Sequence, residues 1–311
     1  MNFEEKSIVN QHVILPELEK FEVSLFVKRE DQIHPFISGN KYRKLKYNIL
    51  TAKKQKKKTL LTYGGAYSNH ISAVAFTGKE FGFKTIGIIR GDELGFDLGK
   101  ILQQNSTLGF AHENGMKFKF VTRSDYRFKH TKEFIDELHK EFGDFYLIPE
   151  GGTNELAVKG CEEILKTNDK DFDVICTAIG TGGTISGVIN SLKKNQKVLG
   201  FPALKGNFLQ KEIEKYTIEN KNWSLNTDYH FGGFAKINKE LINFINHFYQ
   251  KTTIPLDPIY TGKMMFGIVD LIKKGYFKKG TKILTVHTGG LQGIDGMNSR
   301  LKQKKLPLIV T

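Results

Sequence analysis

The sequence predicts the α/β class, with helices packed around parallel sheet. The first observation is alternation: apolar runs of strand length are separated by longer segments of helical periodicity, the pattern of successive βα units. The second is how three of those runs stop, each in a double glycine: Gly64-Gly65, Gly182-Gly183 and Gly289-Gly290. Ligands of open α/β sheets bind beyond the carboxyl ends of strands, so three glycine-rich strand ends point to one shared site. With 311 residues, 39% hydrophobic and 26% charged, the chain can bury a sizeable core and suits two domains or one large unit.

The elements follow in order. "VSLFVKRED" reads as a strand and "KYRKLKYNIL" as the next helix, with Ser38 as its N-cap and Gly39-Asn40 permitting close backbone approach. "KTLLTYGG" and "KTIGIIRGDE" are strands either side of the helix "SNHISAVAFTGKEF". Then come the strand "KFKFVTR", the helix "KHTKEFIDELHKEFG" and the short strand "DFYLIPEGG". The alternation continues through the helix "NELAVKGCEEILKT", the strand "FDVICTAIG", the helix "TISGVINSLKKN" and the strand "KVLGFPAL". A polar interval holding Trp223 follows, then two helices around "IPLDPIYTGK" and the last strand, "TKILTVHTGG". There is no repeat of fixed period.

Composition excludes several classes. No apolar run approaches the length of about 18 residues that a membrane span needs. "MNFEEKSIVNQH" lacks the basic-then-apolar layout of a secretion signal. Cys161 and Cys176 stand far apart with no paired histidine spacing, so no disulfide framework and no metal site are expected, and a cytoplasmic location is. The net charge of +14 raises the question of nucleic acid. Its densest run, "AKKQKKK" from Ala52 to Lys58, has no interleaved aromatic and reads as a solvated helix end, so no nucleic-acid partner is expected.

The chemistry-bearing motifs each have a plain reading and a functional one. Lysines at helical spacing usually face water. Lys41, however, shares a helix side with Leu45 and Ile49, and in the first turn it feels the positive helix end, which lowers an amine's pKa. "GTGGTISG" sets Gly180, Thr181, Gly182, Gly183 and Thr184 between strand and helix, leaving peptide N–H groups open as an anion cradle; the plain alternative is a packing turn. Ile185 stands where a dinucleotide GxGxxG needs glycine, and no lysine completes a P-loop, which leaves a small monophosphate. "YSNH" puts Ser68 at an N-cap with Asn69 and His70 in the first turn, where they either cap and pack or face a ligand. Tyr260 with Thr261, and His287 with Thr288, would pass singly as ordinary loop residues.

Together, "VKREDQIHPFISGNKYRKLKYN", "TYGGAYSNHISAVA", "GTGGTISG", "LDPIYTGK" and "VHTGG" resemble the pyridoxal-phosphate enzymes of the tryptophan-synthase-β-like fold (fold type II). Within them the chain is similar to the D-cysteine desulfhydrases and 1-aminocyclopropane-1-carboxylate (ACC) deaminases. "SGNKYRKL" and "YSNH" are the more specific matches; the glycine loop is common to the wider fold. The resemblance implies a two-domain open parallel-sheet fold, with residues 1–45 plus 155–311 as a large cofactor-binding domain and 46–154 as a smaller one closing over the cleft. It also implies a homodimer. Lys41 would be the Schiff-base lysine, and Lys44 would reach the cofactor phosphate with Gly180, Thr181, Gly182, Gly183 and Thr184; Lys46 is left to solvent. Asn69 would bond the phenolic oxygen of pyridoxal 5'-phosphate, and Thr288 the pyridine nitrogen. Ser68, Asn69 and the amides around His70 would hold the substrate carboxylate, with Ser68 and Tyr260 serving proton transfer and Tyr260 and Thr261 lining the substrate.

The implied activity is that of a lyase taking a small D-amino acid, D-cysteine, to pyruvate, sulfide and ammonia. ACC deaminases carry glutamate after the tyrosine and leucine in the late glycine segment, where this chain has Thr261 and Thr288. A neutral hydroxyl at Thr288 leaves the ring nitrogen largely unprotonated, which suits loss of a β-thiol. ACC deamination is the alternative, with a serine or threonine dehydratase and a racemase behind it. From another class, a basic anion- or nucleic-acid-binding protein without catalysis stands open. Glu150, before a further double glycine, departs from the family pattern and either reaches the site or caps the helix near Asn154.

Overall fold

The structure is a computed structural model that describes residues 7–206, 208–218 and 222–311. In chain order its elements are β1 (Asn10–Val13), β2 (Ser24–Lys28), α1 (Asn40–Lys54), β3 (Thr59–Gly64), α2 (Asn69–Phe81), β4 (Lys84–Arg90), α3 (Leu98–Gln104), α4 (Ser106–Glu113), β5 (Met116–Val121), α5 (Lys132–Phe142) and β6 (Tyr146–Ile148). They continue with α6 (Glu155–Cys161), β7 (Val174–Ile179), α7 (Gly183–Asn190), β8 (Lys197–Pro202), α8 (Phe208–Glu214), β9 (Trp223–Leu225), α9 (Lys239–Thr252), α10 (Thr261–Lys273), β10 (Lys282–Val286) and α11 (Gly293–Gln303). One sheet has the order β1-β2-β10-β7-β8-β9 and is parallel except for the β1–β2 pair; the other, β5-β4-β3-β6, is parallel throughout.

The sequence pattern explains this layering. Every residue of β7, "VICTAI", is buried, as expected for a strand covered on both faces. Val174, Cys176 and Ala178 pack with α9 and α10, while Ile175 and Ile179 pack with Ile185, Val188 and Ile189 of α7. Each such side chain contributes about 1.5–3 kcal/mol by leaving water, so the two sandwiched layers carry much of the stability. In the second sheet, Leu60 faces the α1 and α2 side while Leu61 and Tyr63 face Val121 and Leu138.

Three features differ from expectation. Ser38 does not cap α1: Gly39 occupies the cap position, and the Ser38 hydroxyl donates instead to Asp31 O at 3.0 Å. Helix α1 runs unbroken through the boundary expected at 45/46, because Tyr42, Leu45, Ile49 and Ala52 bury one continuous stripe in the core of the second sheet. Trp223, read as lying in a polar interval, belongs to β9, a three-residue edge strand held by its ladder to β8 rather than by any pattern of its own.

Topology places the site. The neighbouring parallel strands β2, β10 and β7 lead from their carboxyl ends to the start of α1, to Thr288-Gly289-Gly290 and to the 180–184 loop. From the second sheet, β3 leads to Ser68-Asn69-His70 and β6 to the 150–153 turn.

Candidate active site

The start of α1 rests directly on the backbone after β10. Asn40 N–H donates to Thr288 O at 3.3 Å. Gly39 has φ 61°, and a Cβ there would stand 2.1 Å from Thr288 O, so glycine alone permits the approach. Lys41, the second helical residue, is half-buried, and its Nζ donates to Asn40 Oδ1 at 3.1 Å. Asn40 in turn donates from Nδ2 to Thr184 Oγ1 at 2.7 Å, tying the lysine to the glycine loop. Sequence reasoning credited Asn40 only with backbone freedom; its bridging amide is a tertiary feature.

Helix α7 begins at Gly183 with Gly182 (φ 89°) as its cap, so the positive helix end opens onto the 180–184 loop. Lys44, one turn beyond Lys41, is 2% exposed. Its Nζ donates to Gly151 O and Thr153 Oγ1, both at 3.0 Å, and to Thr181 Oγ1 at 3.3 Å. The Thr153 and Thr181 hydroxyls meet at 2.6 Å. A Cβ on Gly183 would fall 2.9 Å from Thr153 Oγ1, and one on Gly151 2.8 Å from Thr181 Cγ2, so the 151–153 turn is pressed onto the loop. Lys46 is not left to solvent: it pairs with Glu163 Oε2 at 2.6 Å.

From the second sheet, Ser68 caps α2, accepting from Ile71 N–H at 3.4 Å. The Asn69 amide lies against the late glycines, since a Cβ on Gly290 would stand 2.7 Å from its Nδ2. His70 is buried, and its Nε2 sits 2.8 Å from Thr62 Oγ1. That hydroxyl donates to Ile148 O at 2.9 Å, so it accepts from Nε2–H. Nδ1 is buried, facing Gly152 beside Lys44. Burial, followed by the charges of Lys41 and Lys44, holds the imidazole pKa well below its usual value, so the ring is neutral.

The Tyr260 ring packs on the loop: a Cβ on Gly180 would meet its Cε1 at 3.2 Å and its hydroxyl at 3.4 Å. Burial keeps this phenol protonated, its pKa raised first by desolvation and then by Asp257 and Glu150. Thr261 departs from expectation. It is fully buried; its N–H and hydroxyl both donate to Asp257 Oδ1, at 2.7 and 2.8 Å, and its oxygen accepts Asp257 N–H at 2.9 Å. The side chain is thus committed to capping α10 rather than facing substrate. Asp257, which sequence reasoning passed over, also accepts Ile259 and Tyr260 N–H on Oδ2, at 2.9 and 3.0 Å. An aspartate four residues before a threonine at a helix start was the available signal.

His287 is held between Pro255 O, 2.6 Å from its Nε2, and the Gly289 N–H, which donates to its Nδ1 at 3.2 Å, a structural role. Glu150 does not cap the helix near Asn154; Asn154 caps α6 itself, accepting Ala157 N–H. The Glu150 carboxylate is held by the Tyr126 hydroxyl at 2.8 Å and by Lys129 at 3.3 Å.

The electrostatics call for an anion. Among the described residues Lys41 and Lys44 have only neutral oxygens as hydrogen-bond partners and neither forms an ion pair, although Lys44 is buried and Lys41 half-buried. Burial and then the neighbouring Lys44 charge lower Lys41 to about 7; burial lowers Lys44 to about 8. Two such amines, open peptide N–H groups at a helix start and three threonine hydroxyls fit a phosphate monoester beside a nucleophilic amine. A separate cavity of about 480 Å³, lined by Gly206, Leu209, Gln210, Trp223, Ser224, Leu225 and Thr227, shares no residue with this cluster.

The family model described as pyridoxal-phosphate dependent enzyme matches residues 12–289. The chain is 31% identical over 303 residues to a putative 1-aminocyclopropane-1-carboxylate deaminase of Pyrococcus furiosus, covering 90% of this chain and 88% of that one. It is 30% identical over 301 residues to the bifunctional D-cysteine desulfhydrase/1-aminocyclopropane-1-carboxylate deaminase, mitochondrial, of Arabidopsis thaliana, covering 87% of this chain and 73% of that one. A crystal structure of an ACC deaminase homologue superposes with a TM-score of 0.77 at 26% identity, covering 96% of this chain and 95% of that one.

Proposed function

Because the chain belongs to the family of pyridoxal-phosphate-dependent enzymes, we propose that it is a lyase converting D-cysteine and water to pyruvate, hydrogen sulfide and ammonia. Pyridoxal phosphate, when bound, supplies an aldehyde for an amine and a ring that takes up the electron pair left by a departing Cα proton. The donor set fits that group. In this reading Lys41 Nζ would hold the cofactor at its aldehyde carbon and, as a free amine with a pKa of about 7, would accept the Cα proton of the substrate. Lys44, the amides of Gly180, Gly182 and Gly183, and the hydroxyls of Thr181 and Thr184 hold the phosphate. Asn69 takes the phenolic oxygen and Thr288 the ring nitrogen. Ser68, Asn69 and the amide of His70 hold the substrate carboxylate, while the protonated Tyr260 hydroxyl steadies the leaving sulfur. The expected domain division, with 46–154 closing over the cleft, and a cytoplasmic homodimer go with this reading; a single-chain mass in sedimentation would remove the dimer.

The choice of substrate rests on one observation: no free acid stands beside Tyr260 at position 261. Thr261 is spent on Asp257, whose oxygens already accept four hydrogen bonds, and both Glu150 oxygens are engaged. A thiol with a pKa of about 8.5 leaves as thiolate without a carboxylic acid to protonate it, whereas a cyclopropane ring has no leaving group and needs an acid to open. The second reading, ACC deamination, is favoured by the names of relatives from Pyrococcus and Rhizobium. Sulfide release from D- against L-cysteine, and ammonia release from ACC, separate the two in cofactor-loaded protein. Sulfide from the D-isomer is expected; ammonia from ACC without sulfide would overturn the proposal.

A pH test follows from the two lysines. Lys41 must be neutral to bond an aldehyde, a state gained as pH rises through about 7. Lys44 must be cationic to hold the phosphate, a state lost as pH rises through about 8. Cofactor capture by stripped protein, followed by absorbance, should therefore be bell-shaped with its maximum between those values. A flat profile from pH 5 to 10 would contradict the assignment.

A further inference from the structure

We infer that Lys263 is a positioning residue: its ammonium clamps the 230–235 turn at the rim of the site and, through Phe234, fixes Tyr260. The inference rests on the role given to Tyr260 above. Lys263 lies in the first turn of α10, three residues after Tyr260, and is 2% exposed. Among the described residues it forms no ion pair; its Nζ donates to His230 O at 2.9 Å and to Gly233 O at 2.8 Å. A lysine placed there works against both burial and the positive helix end, and burial lowers its pKa to about 8, so packing alone would favour an apolar side chain of the same length.

The turn it holds is one the backbone resists. Phe231 and Ala235 take φ of 53° and 55°, and Gly232 and Gly233 take 89° and 111°. Left-handed conformations are disfavoured for residues with a Cβ and persist only where the surroundings impose them. The contacts that hold the turn are the two carbonyls drawn onto Lys263, the Gly232 N–H donated to His230 Nδ1 at 2.9 Å, the backbone bonds from Gly233 N–H to His230 O at 3.0 Å and from Lys236 N–H to Gly233 O at 3.2 Å, and Arg300, which donates to Ala235 O at 3.4 Å. The turn delivers Phe234, 49% exposed, edge-on against Tyr260 with ring centroids 6.1 Å apart. Tyr260 in turn lies on Gly180 of the anion cradle. The contacts run without a gap from a buried ammonium to the ring proposed to face the substrate. Phe231 is used in packing, edge-on to Phe266 with ring centroids 5.0 Å apart, whereas the exposed Phe234 makes its ring contact with Tyr260.

The experiment compares Lys263→Met, Phe234→Ala and the double variant in cofactor-loaded protein. Trypsin cleavage after Lys236, just past the turn, reports the clamp without reference to activity. Lys263→Met should speed that cut about tenfold while the rest of the chain stays protected, as a local opening does. Each single variant should lower kcat/KM by up to about 100-fold, mostly in kcat, the scale of a reacting group misplaced by about 1 Å. The double variant should be no worse than the poorer single, because both act through one contact. Additive losses, an unchanged cleavage rate, or faster cleavage with kcat/KM intact would each overturn the clamp. Should Lys263→Met fail to fold, Lys263→Gln, which keeps an N–H donor for the carbonyls, must restore protection at Lys236 and activity together. If no amino acid is turned over, the reading of the activity fails, while the cleavage assay still decides whether Lys263 holds the turn.

Discussion

Lys41→Met should lose about 10⁴-fold in turnover, the upper end of what one proton-transferring group contributes, and should lose the absorbance of a covalently held cofactor. The same variant should be more stable than the parent at neutral pH. Burial lowers the folded amine from 10.5 to about 7, so between those values the unfolded chain holds more protons than the folded one. The depressed Lys41 pKa therefore costs stability at pH 7 and below, and stability rises with pH from about 7 towards 10.5. Methionine removes the charge and keeps the packing, so thermal unfolding at pH 6.5 should shift upward, while at pH 10.5 the two proteins should converge. A variant that is inactive yet less stable at pH 6.5 would mean that Lys41 is held by a partner that compensates its charge.

Gly39→Ala should cost about 4 kcal/mol, combining about 1–3 for a left-handed residue with about 1–3 for overpacking. Its Cβ would meet Thr288 O at 2.1 Å, Thr288 C at 2.3 Å and Gly289 N at 2.6 Å, all backbone atoms that cannot rotate away. Relief requires lifting the start of α1 from the 288–289 segment, which separates Lys41 from Thr288 and should abolish cofactor uptake. Gly82→Ala is the control, because Gly82 has φ 75° but no atom within 4 Å of its Cβ position. It should cost only about 1–2 kcal/mol, the conformational part alone. Denaturant unfolding of both variants, read with cofactor absorbance, checks the difference; equal losses would mean that the contact with Thr288 is not what fixes glycine at position 39.

Much of the fold was legible because it depends on local pattern. The apolar runs at β3, β4, β7, β8 and β10, and the helices α2, α5, α9 and α10, appear where strand and helix periodicity put them. Elements held by neighbours rather than by their own pattern were not seen: the edge strands β1 and β9, and the short helices α3, α4, α8 and α11. Capping was read unevenly. Ser68 caps as its position suggests, but Ser38 does not, because its hydroxyl finds Asp31 O and Gly39 makes a turn that serine cannot.

At the candidate site, the sequence by itself determined the chemical inventory: lysines one helical turn apart, a glycine loop before a helix, a Ser-Asn-His start and the late tyrosine and threonines. Those are properties of residue type and short spacing, which survive any arrangement of the rest. Only the tertiary structure decided which of them share one space. It brought Asn40 onto Thr184 and set Lys44 against Thr153 and Thr181. The physical reason is range. Hydrogen bonds and desolvation act over a few ångströms between groups more than a hundred residues apart, and nothing in either segment alone records the distance to its partner.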